Sequence, residues 1–382
     1  MSDWKQVALG EVATIARKTV EPKDISDDTT YVGLENIARG GTFVNVGTVG
    51  EAALASTKFR FTSEQILFGK LRPYLAKIAR PSFSGVCSTD ILPISPGNQL
   101  DRGYLAHFLI QPKVVEMASS RATGANLPRL SPAELAKFTL PLPPLDEQRR
   151  IAEVLDRTDE LLAKRREALA HLDDLIQCTF LDLFGNPATN RKNHPLAPLG
   201  SLGQWRSGGT PPRSKREYFE GNVPWFSSGE LGEMLVSRSN ESISLTALAE
   251  TAAKKVSRGS IMVGMYDTAA LKTSIADIDC SCNQAIAFAS INPELADTIY
   301  IYFALRTGRD HFRRLQRGAR QKNLNIGMIR EIAIPLPPMR LQKEFRERVV
   351  NTERLKEGHR QSLAELDALF ASLQERAFRG AL

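Results

Sequence analysis

Cysteine is scarce in this chain: four in 382 residues, at positions 87, 178, 280 and 282. Thiols so scattered suggest no disulfide framework, and a reducing cytoplasm is the expected setting. Cys280-Ser-Cys282 has no second pair at ligand spacing, so small core residues beside a strand are expected there rather than a metal site. No apolar run reaches the length needed to span a membrane. The opening MSDWKQVALGEV lacks the apolar core of a signal peptide. Also missing are a P-loop, a GxGxxG after a strand, an HExxH and a paired CxxC. The five histidines are scattered, none in an obvious nucleophile setting. Neither an Asn/Asp-Pro-Pro-aromatic tetrapeptide of the amino-methyltransferase kind nor a nuclease carboxylate–lysine cluster stands out. A duplicated catalytic domain should show its reactive set twice, so no catalytic residue is assigned.

The sequence does have a repeat. Positions 140–184 and 334–380 each begin with an apolar residue, then Pro-Leu-Pro-Pro, then a charged run about 40 residues long. Pro141, Leu142, Pro143 and Pro144 map onto Pro335, Leu336, Pro337 and Pro338, an offset of 194. In the first copy Ile151, Leu155, Thr158, Leu162, Arg165, Leu169, Leu172, Ile176, Thr179 and Leu183 step by fours and threes. In the second, Phe345, Val349, Thr352, Lys356, His359, Leu363, Leu366, Phe370, Leu373 and Ala377 keep that rhythm, with Leu355 expected to replace Lys356 in the seam. A sustained spacing of this kind predicts coiled-coil helices, each about 60 Å long. The double prolines suit helix starts, and Gly185 and Gly380 suit the ends.

Before each helix lies a segment of short apolar runs broken by Gly, Thr, Asn and Asp. The first, roughly 1–144, offers strands around Tyr31–Leu34 and Gly41–Val44, then Ser63–Tyr74 running into a basic, aromatic turn. A strand follows over Gly85–Ile94, a helix over Tyr104–Ala118 and a glycine-containing loop over Arg121–Arg129. The second segment repeats the order: Gly259–Tyr266 matches the strand and turn, Cys282–Ala287 matches Cys87–Leu92, Ile299–Leu305 the helix, and Gly318–Asn323 the loop. The division expected is 1–144, 145–185, 186–338 and 339–382. The fold class expected is α+β: two similar α/β domains separated by two long helices, with a pseudo-two-fold internal repeat.

Net charge is +7. The helical stretches 146–184 and 339–382 carry −4 and +2, leaving +9 on the globular parts. That excess suits a polyanion partner. Arg309–Asn325 holds six bases and one acid together with Gln and Asn. Arg and Lys attract phosphate, while Arg, Gln and Asn pair with base edges. The DNA-binding candidates are Lys70, Arg72, Tyr74, Arg121, Thr123, Asn126, Arg213, Lys215, Arg313, Arg317, Arg320, Gln321, Lys322 and Asn323. Ser207-Gly208-Gly209-Thr210 would add free backbone N–H groups beside Arg213 and Lys215. Trp205, Trp225 and Phe226 are expected in the core.

Nearly end to end, the chain resembles the specificity subunits of type I restriction-modification systems. The residues that carry the likeness are Ser207–Pro211, Val223–Leu231, Ile66–Pro73 and both Pro-Leu-Pro-Pro entrances. Where the first helix opens Leu145-Asp-Glu-Gln148, the second opens Met339-Arg-Leu-Gln342; the family favours Glu-Gln, so the two starts need not make identical contacts. The resemblance implies two target-recognition domains, each reading half of a bipartite double-stranded DNA site, and antiparallel helices that set the spacing. It implies two modification subunits using S-adenosylmethionine, and restriction subunits using ATP and Mg; no cofactor is expected on this chain, and no membrane contact. Val154, Leu161 and Leu175 form a second apolar stripe, where partners would dock or which widens the seam. The alternatives are a coiled-coil scaffold without a DNA role and a nucleic-acid enzyme with an unfamiliar site.

Overall fold

Each long helix starts at its double proline. In the computed structural model, which describes residues 4–315 and 323–382, the helices run Leu145–Phe184 and Met339–Ala377. The Pro144 carbonyl accepts from the Glu147 and Gln148 N–H groups, and the Pro338 carbonyl from those of Leu341 and Gln342. Proline loses no hydrogen bond at such an entry. Gly185, at φ +75°, ends the first helix in the left-handed region, and Gly380, at φ +69°, follows the second.

The chain divides into two compact units, one joining residues 1–167 to 360–382 and the other spanning 168–359. Each unit therefore holds a stretch of both helices. In the first unit Arg166 meets Asp367 at 3.0 Å and Arg150 reaches the Leu382 carbonyl at 3.3 Å, so the stretches are antiparallel. In the second unit Lys356 meets Asp173 at 2.6 Å, while the Phe345 ring lies 5.5 Å from those of Phe180 and Phe184. These contacts again require antiparallel stretches.

The expected seam is buried or half-buried throughout, with Ile151, Leu155, Phe345 and Val349 fully so. One substitution within it does not occur. Leu355 is 60% exposed and Lys356 only 6%. Lys356 keeps the seam because its ammonium finds Asp173 and Glu353, each at 2.6 Å; a paired charge tolerates burial that a lone one does not.

The repeat extends to strand register. In the first unit a sheet orders Ala13–Ile15, Ile91–Pro96, Ile66–Gly69 and Ile78–Ala79; in the second, Gly203–Ser207, Ile286–Ile291, Ile261–Gly264 and Thr273–Ala276 follow the same order, with Leu235–Val236 added at the edge. Ile94 faces Ile15 and Ile66, as Ala289 faces Trp205 and Ile261. A parallel pair recurs in another sheet, joining Val32 to Cys87 and Phe226 to Cys282. Trp205, Trp225 and Phe226 are core residues, as are Cys87, Cys280 and Cys282.

Three local expectations are corrected. Gly85–Ile94 is two strands in two sheets, Gly85–Cys87 and Ile91–Pro96, because the Ser88 carbonyl accepts from the Ile91 N–H and turns the chain between them. Tyr104–Ala118 lies in two helices, Arg102–Ile110 and Pro112–Ser120. Pro112 forces Gln111 into extended backbone (φ −54°, ψ 136°), which a continuous helix cannot hold. Gly41–Val44 forms no strand. Gly40 and Gly41 both have positive φ, and only the single bridge Ile37–Phe43 follows.

Two arrangements tie each unit to its helices. The first is duplicated. Gln148 and Gln342 are 0% and 1% exposed. Each donates from Nε2 to the carbonyl of the first proline of the pair, Pro143 or Pro337, at 2.8 Å. Each accepts at Oε1 from the backbone N–H of Asp101 (2.8 Å) or Asp297 (2.9 Å). Those aspartates cap the helices that carry Tyr104 and Tyr300, whose hydroxyls donate to Pro141 and Pro335. The two starts therefore share these contacts, and Gln148 adds a second donation, to the Gln99 carbonyl at 2.9 Å. Glu147, which Leu341 replaces, pairs along its own helix with Arg150.

The second arrangement belongs to the first unit alone. Asp156 accepts from Arg80 at 2.9 and 2.5 Å and lies 2.7 Å from Nε2 of the buried His107. Burial by itself would raise the Asp156 carboxyl, but the hydrogen bonds from His107 and Arg80 pull it well below the usual carboxylate range. At the position of His107 the second unit has Phe303, whose ring lies 5.1 Å from that of Phe345.

Replacing either glutamine by leucine leaves, in a buried site, an orphan N–H and one orphan carbonyl at Gln342 or two at Gln148. Gln148→Leu or Gln342→Leu should each cost about 1–3 kcal/mol, read by chemical denaturation against Glu147→Ala, which should change little. Because Asp156 has a depressed folded pKa, its pairing stabilises fully above the ordinary carboxylate pKa and is lost as pH falls through the folded value. Asp156→Asn should therefore lower Tm at pH 7, and the gap to wild type should shrink as the pH of melting drops below about 4.

Candidate DNA interface

In each unit the chain past the C-terminal end of one sheet strand, Ile66–Gly69 or Ile261–Gly264, is tied to two other segments. In the first unit the turn after Gly69 is tied on both sides. The Lys70 N–H donates to the Asp90 carbonyl (2.9 Å), and the Lys70 carbonyl accepts from Leu130 (2.9 Å). Arg72 donates from its backbone to Pro128 (2.8 Å). In the second unit the Met265 N–H donates to Ala285 (2.9 Å) and its carbonyl accepts from Leu324 (2.8 Å). The frame is the same and the side chains differ: Lys70, Asp90 and Arg129 stand where Met265, Ala285 and Asn323 stand.

The first unit gathers most of its candidates here. Lys70 is half-buried at the root of the turn; Arg72 is exposed, and Tyr74 is 51% exposed. Arg72 and Ala76 hold left-handed backbone at φ 50° and 49°, uncommon for residues with a Cβ. Thr123 exchanges backbone hydrogen bonds with Arg129 (3.0 and 2.9 Å), which folds the glycine loop back on itself. Arg121, Thr123 and Asn126 are exposed, and the Arg121 guanidinium lies 5.3 Å from the centre of the Phe138 ring. Arg129 was not singled out from sequence. It is exposed and held by the Asp90 carboxylate at 2.8 and 3.2 Å, which raises its guanidinium further.

The second unit splits its candidates. Asn323 bridges to Tyr266 just past Ile261–Gly264. Arg313 is half-buried in a short helical turn over Arg313–Leu315. Arg317, Arg320, Gln321 and Lys322 lie outside the described residues. Arg213 belongs to another loop, where it clasps Glu241 at 2.8 and 2.7 Å and lies 4.3 Å from the Phe219 ring centre. That hydrogen bonding lowers the Glu241 carboxyl. Lys215 donates to the Tyr218 hydroxyl at 3.1 Å, which raises the ammonium.

The expected free N–H groups of Gly208 and Gly209 are engaged. They donate to the carbonyls of Ile286 and Cys282, each at 2.9 Å. A Cβ on Gly208 would lie 2.3 Å from the Cys282 and Asn283 carbonyl oxygens, so this loop requires glycine to lie flat on its neighbour. The loop seats Thr210 against Gln284, an exposed residue between the strands ending at Cys282 and starting at Ile286. Sequence alone offered no signal for Gln284, because its relevance depends on which loops meet.

On the helices, Val154 is half-buried, while Leu161 and Leu175 are 52% and 54% exposed. Leu355 and Leu369 repeat them at the offset of 194 and are 60% and 49% exposed. All four stand immediately before a seam residue. In the second unit Leu175 borders a groove of about 310 Å³ lined by Ile176, Thr179, Phe345, Val349 and Thr352. No described helix is long and apolar enough to cross a membrane, and no described cluster of His, Cys, Asp or Glu could hold a metal.

The model for the type I restriction modification DNA specificity domain matches this chain twice, over residues 1–171 and 196–367. The type I restriction enzyme EcoDI specificity subunit of Escherichia coli is 28% identical over 49% of this chain, and the match spans 43% of that subunit's own length. Among solved structures, a type I restriction-modification S subunit from M. genitalium aligns with a TM-score of 0.64 at 14% identity, covering 98% of this chain and 96% of that one. A chain from a structure describing complex assembly and conformational transition of the type I R-M system aligns with a TM-score of 0.61 at 21% identity, covering 99% and 98%. With the domain matched in both halves of a duplicated fold, the chain belongs to the specificity-subunit family of type I restriction-modification systems.

Proposed function

We propose that this chain is the non-catalytic, sequence-reading subunit of a cytoplasmic type I complex, and that each globular half reads one part of a bipartite DNA target. The observation that carries this reading is the duplicated tie between segments past that strand. One backbone frame, with one hydrogen-bond pattern, places Lys70, Asp90 and Arg129 in one half where the other has the buried Met265 and Ala285, and Asn323. A frame kept constant while its tips vary suits two readings made by one device. Lys70, Arg72 and Arg121 supply phosphate contacts that hold register, and polar side chains at the loop tips supply base contacts.

The long helices set the distance between the two readings. They also offer a docking surface at Leu161, Leu175, Leu355 and Leu369, with Val154 at its margin. Leucines this exposed at matching positions of a repeat suit two copies of one partner, the modification subunit. S-adenosylmethionine would be bound by those subunits, and ATP with Mg by restriction subunits, so methyl transfer and cutting lie outside this chain.

Two measurements test the proposal on the assembled complex. Lys70→Ala with Arg72→Ala should weaken DNA binding and reduce the slope of log K against log salt by about 2, while the preferred sequence stays the same. Retained affinity and slope would remove these residues from the interface. Deleting one heptad from each long helix, at paired positions, shortens the rods by about 10 Å, or about three base pairs. The unread gap in the methylated target should shrink by that amount; an unchanged gap would discard the spacing role.

A further inference from the structure

Gln284 has the attributes of a base-reading side chain. It is exposed at the tip of the loop between Cys282 and Ile286, and that loop is pinned from every side. The Asn283 N–H donates to the Phe226 carbonyl (2.9 Å), and the Asn283 carbonyl accepts from Ile286 (3.1 Å). The Asn283 side chain accepts from the Ala285 N–H at 3.1 Å. Gly208 and Gly209 donate into the same backbone, and Met265 into the Ala285 carbonyl. The side chain is held as well: the Thr210 hydroxyl donates to Oε1 of Gln284. A long, flexible amide is thus restrained before any ligand arrives, and among the described residues nothing pairs with its Nε2 donor or the second lone pair of Oε1. One cation belongs to the adjoining loop: Lys254 is exposed and donates to the Ser207 carbonyl at 3.1 Å.

We propose that Gln284 reads one adenine in the half-site of the second unit, with Thr210 as its positioning residue. A glutamine amide matches adenine in the major groove, accepting from N6–H and donating to N7. The Thr210 hydrogen bond sets which way the amide faces, so the donor and acceptor present in a fixed order. Arg213 takes no part in this contact, since Glu241 and two aromatic rings already hold it. The inference rests on the proposed reading of DNA by this unit.

The test is a map of methylated adenines in the genome of a host expressing the chain with its modification subunits. Wild type should give a bipartite target with an adenine, other than the methylated one, at one strongly preferred position in one half. Gln284→Glu replaces the amide with an acceptor-only group suited to cytosine N4. It should move the preference at that one position from adenine to cytosine, leaving the rest of the target intact. Gln284→Leu should lower discrimination there by about 10-fold or more. Thr210→Val should keep adenine but weaken the discrimination, a change a purely structural threonine would not localise to one base pair. Targets unchanged in all three variants would overturn the proposal, as would loss of methylation in all three. Wild-type methylation without a bipartite sequence would instead overturn the underlying reading of DNA.

Discussion

A glutamine sealed from water stands where each long helix leaves its globular half. Gln148 and Gln342 satisfy a proline carbonyl on one side and the N–H of a helix-capping aspartate on the other. A side-chain amide in that position has few alternatives, because an unpaired donor or acceptor with no access to water is expensive. It therefore fixes the entry of the long helix against the short helix that packs on the sheet. The tyrosine hydroxyls of Tyr104 and Tyr300, donating to the strand just before the prolines, complete the same joint. The duplication keeps this joint while much around it varies.

Variation begins close by. Behind the joint, the first unit secures the helix with Arg80, His107 and Asp156, and the second with Phe180, Phe303 and Phe345. One is a charged cluster and the other an aromatic one, so the two units meet acid with different reserves although their frames match. Past Ile66–Gly69 and Ile261–Gly264 the same freedom appears in the loops. Backbone hydrogen bonds hold the frame, and its side chains differ between the units: an exposed Asp90–Arg129 pair in one, the buried Met265 and Ala285 in the other. The joint recurs in both units with the same hydrogen bonds, while the residues around the loops differ.

Much of this was legible in the residues. The offset of 194 and the heptad spacing gave the helices, their starts and most of their seam, since both signals are local and periodic. Burial of Trp205, Trp225 and Phe226 followed from size and apolarity. Local reading failed where a single residue outvoted a pattern. Pro112 broke a helix whose apolar spacing looked continuous, and Lys356 held a seam position that hydrophobicity would have given to Leu355. The candidate site was half legible. Composition pointed to Lys70, Arg72 and Arg121, but had no means of pointing to Gln284 or Arg129, whose partners Thr210 and Asp90 lie far along the chain.

By itself the sequence determined that this chain is one module written twice, each copy followed by a stiff rod, because duplication and periodicity survive as spacing along a line. Only the tertiary structure decided which loops meet, which glycines lie flush against a neighbour, and that the last residues of the chain complete the core of the first unit, where Phe378 packs on Tyr104 and Phe108. Those outcomes depend on hydrogen bonds and contacts between segments tens to hundreds of residues apart. No local pattern encodes which of the many possible long-range pairings gives the lowest free energy.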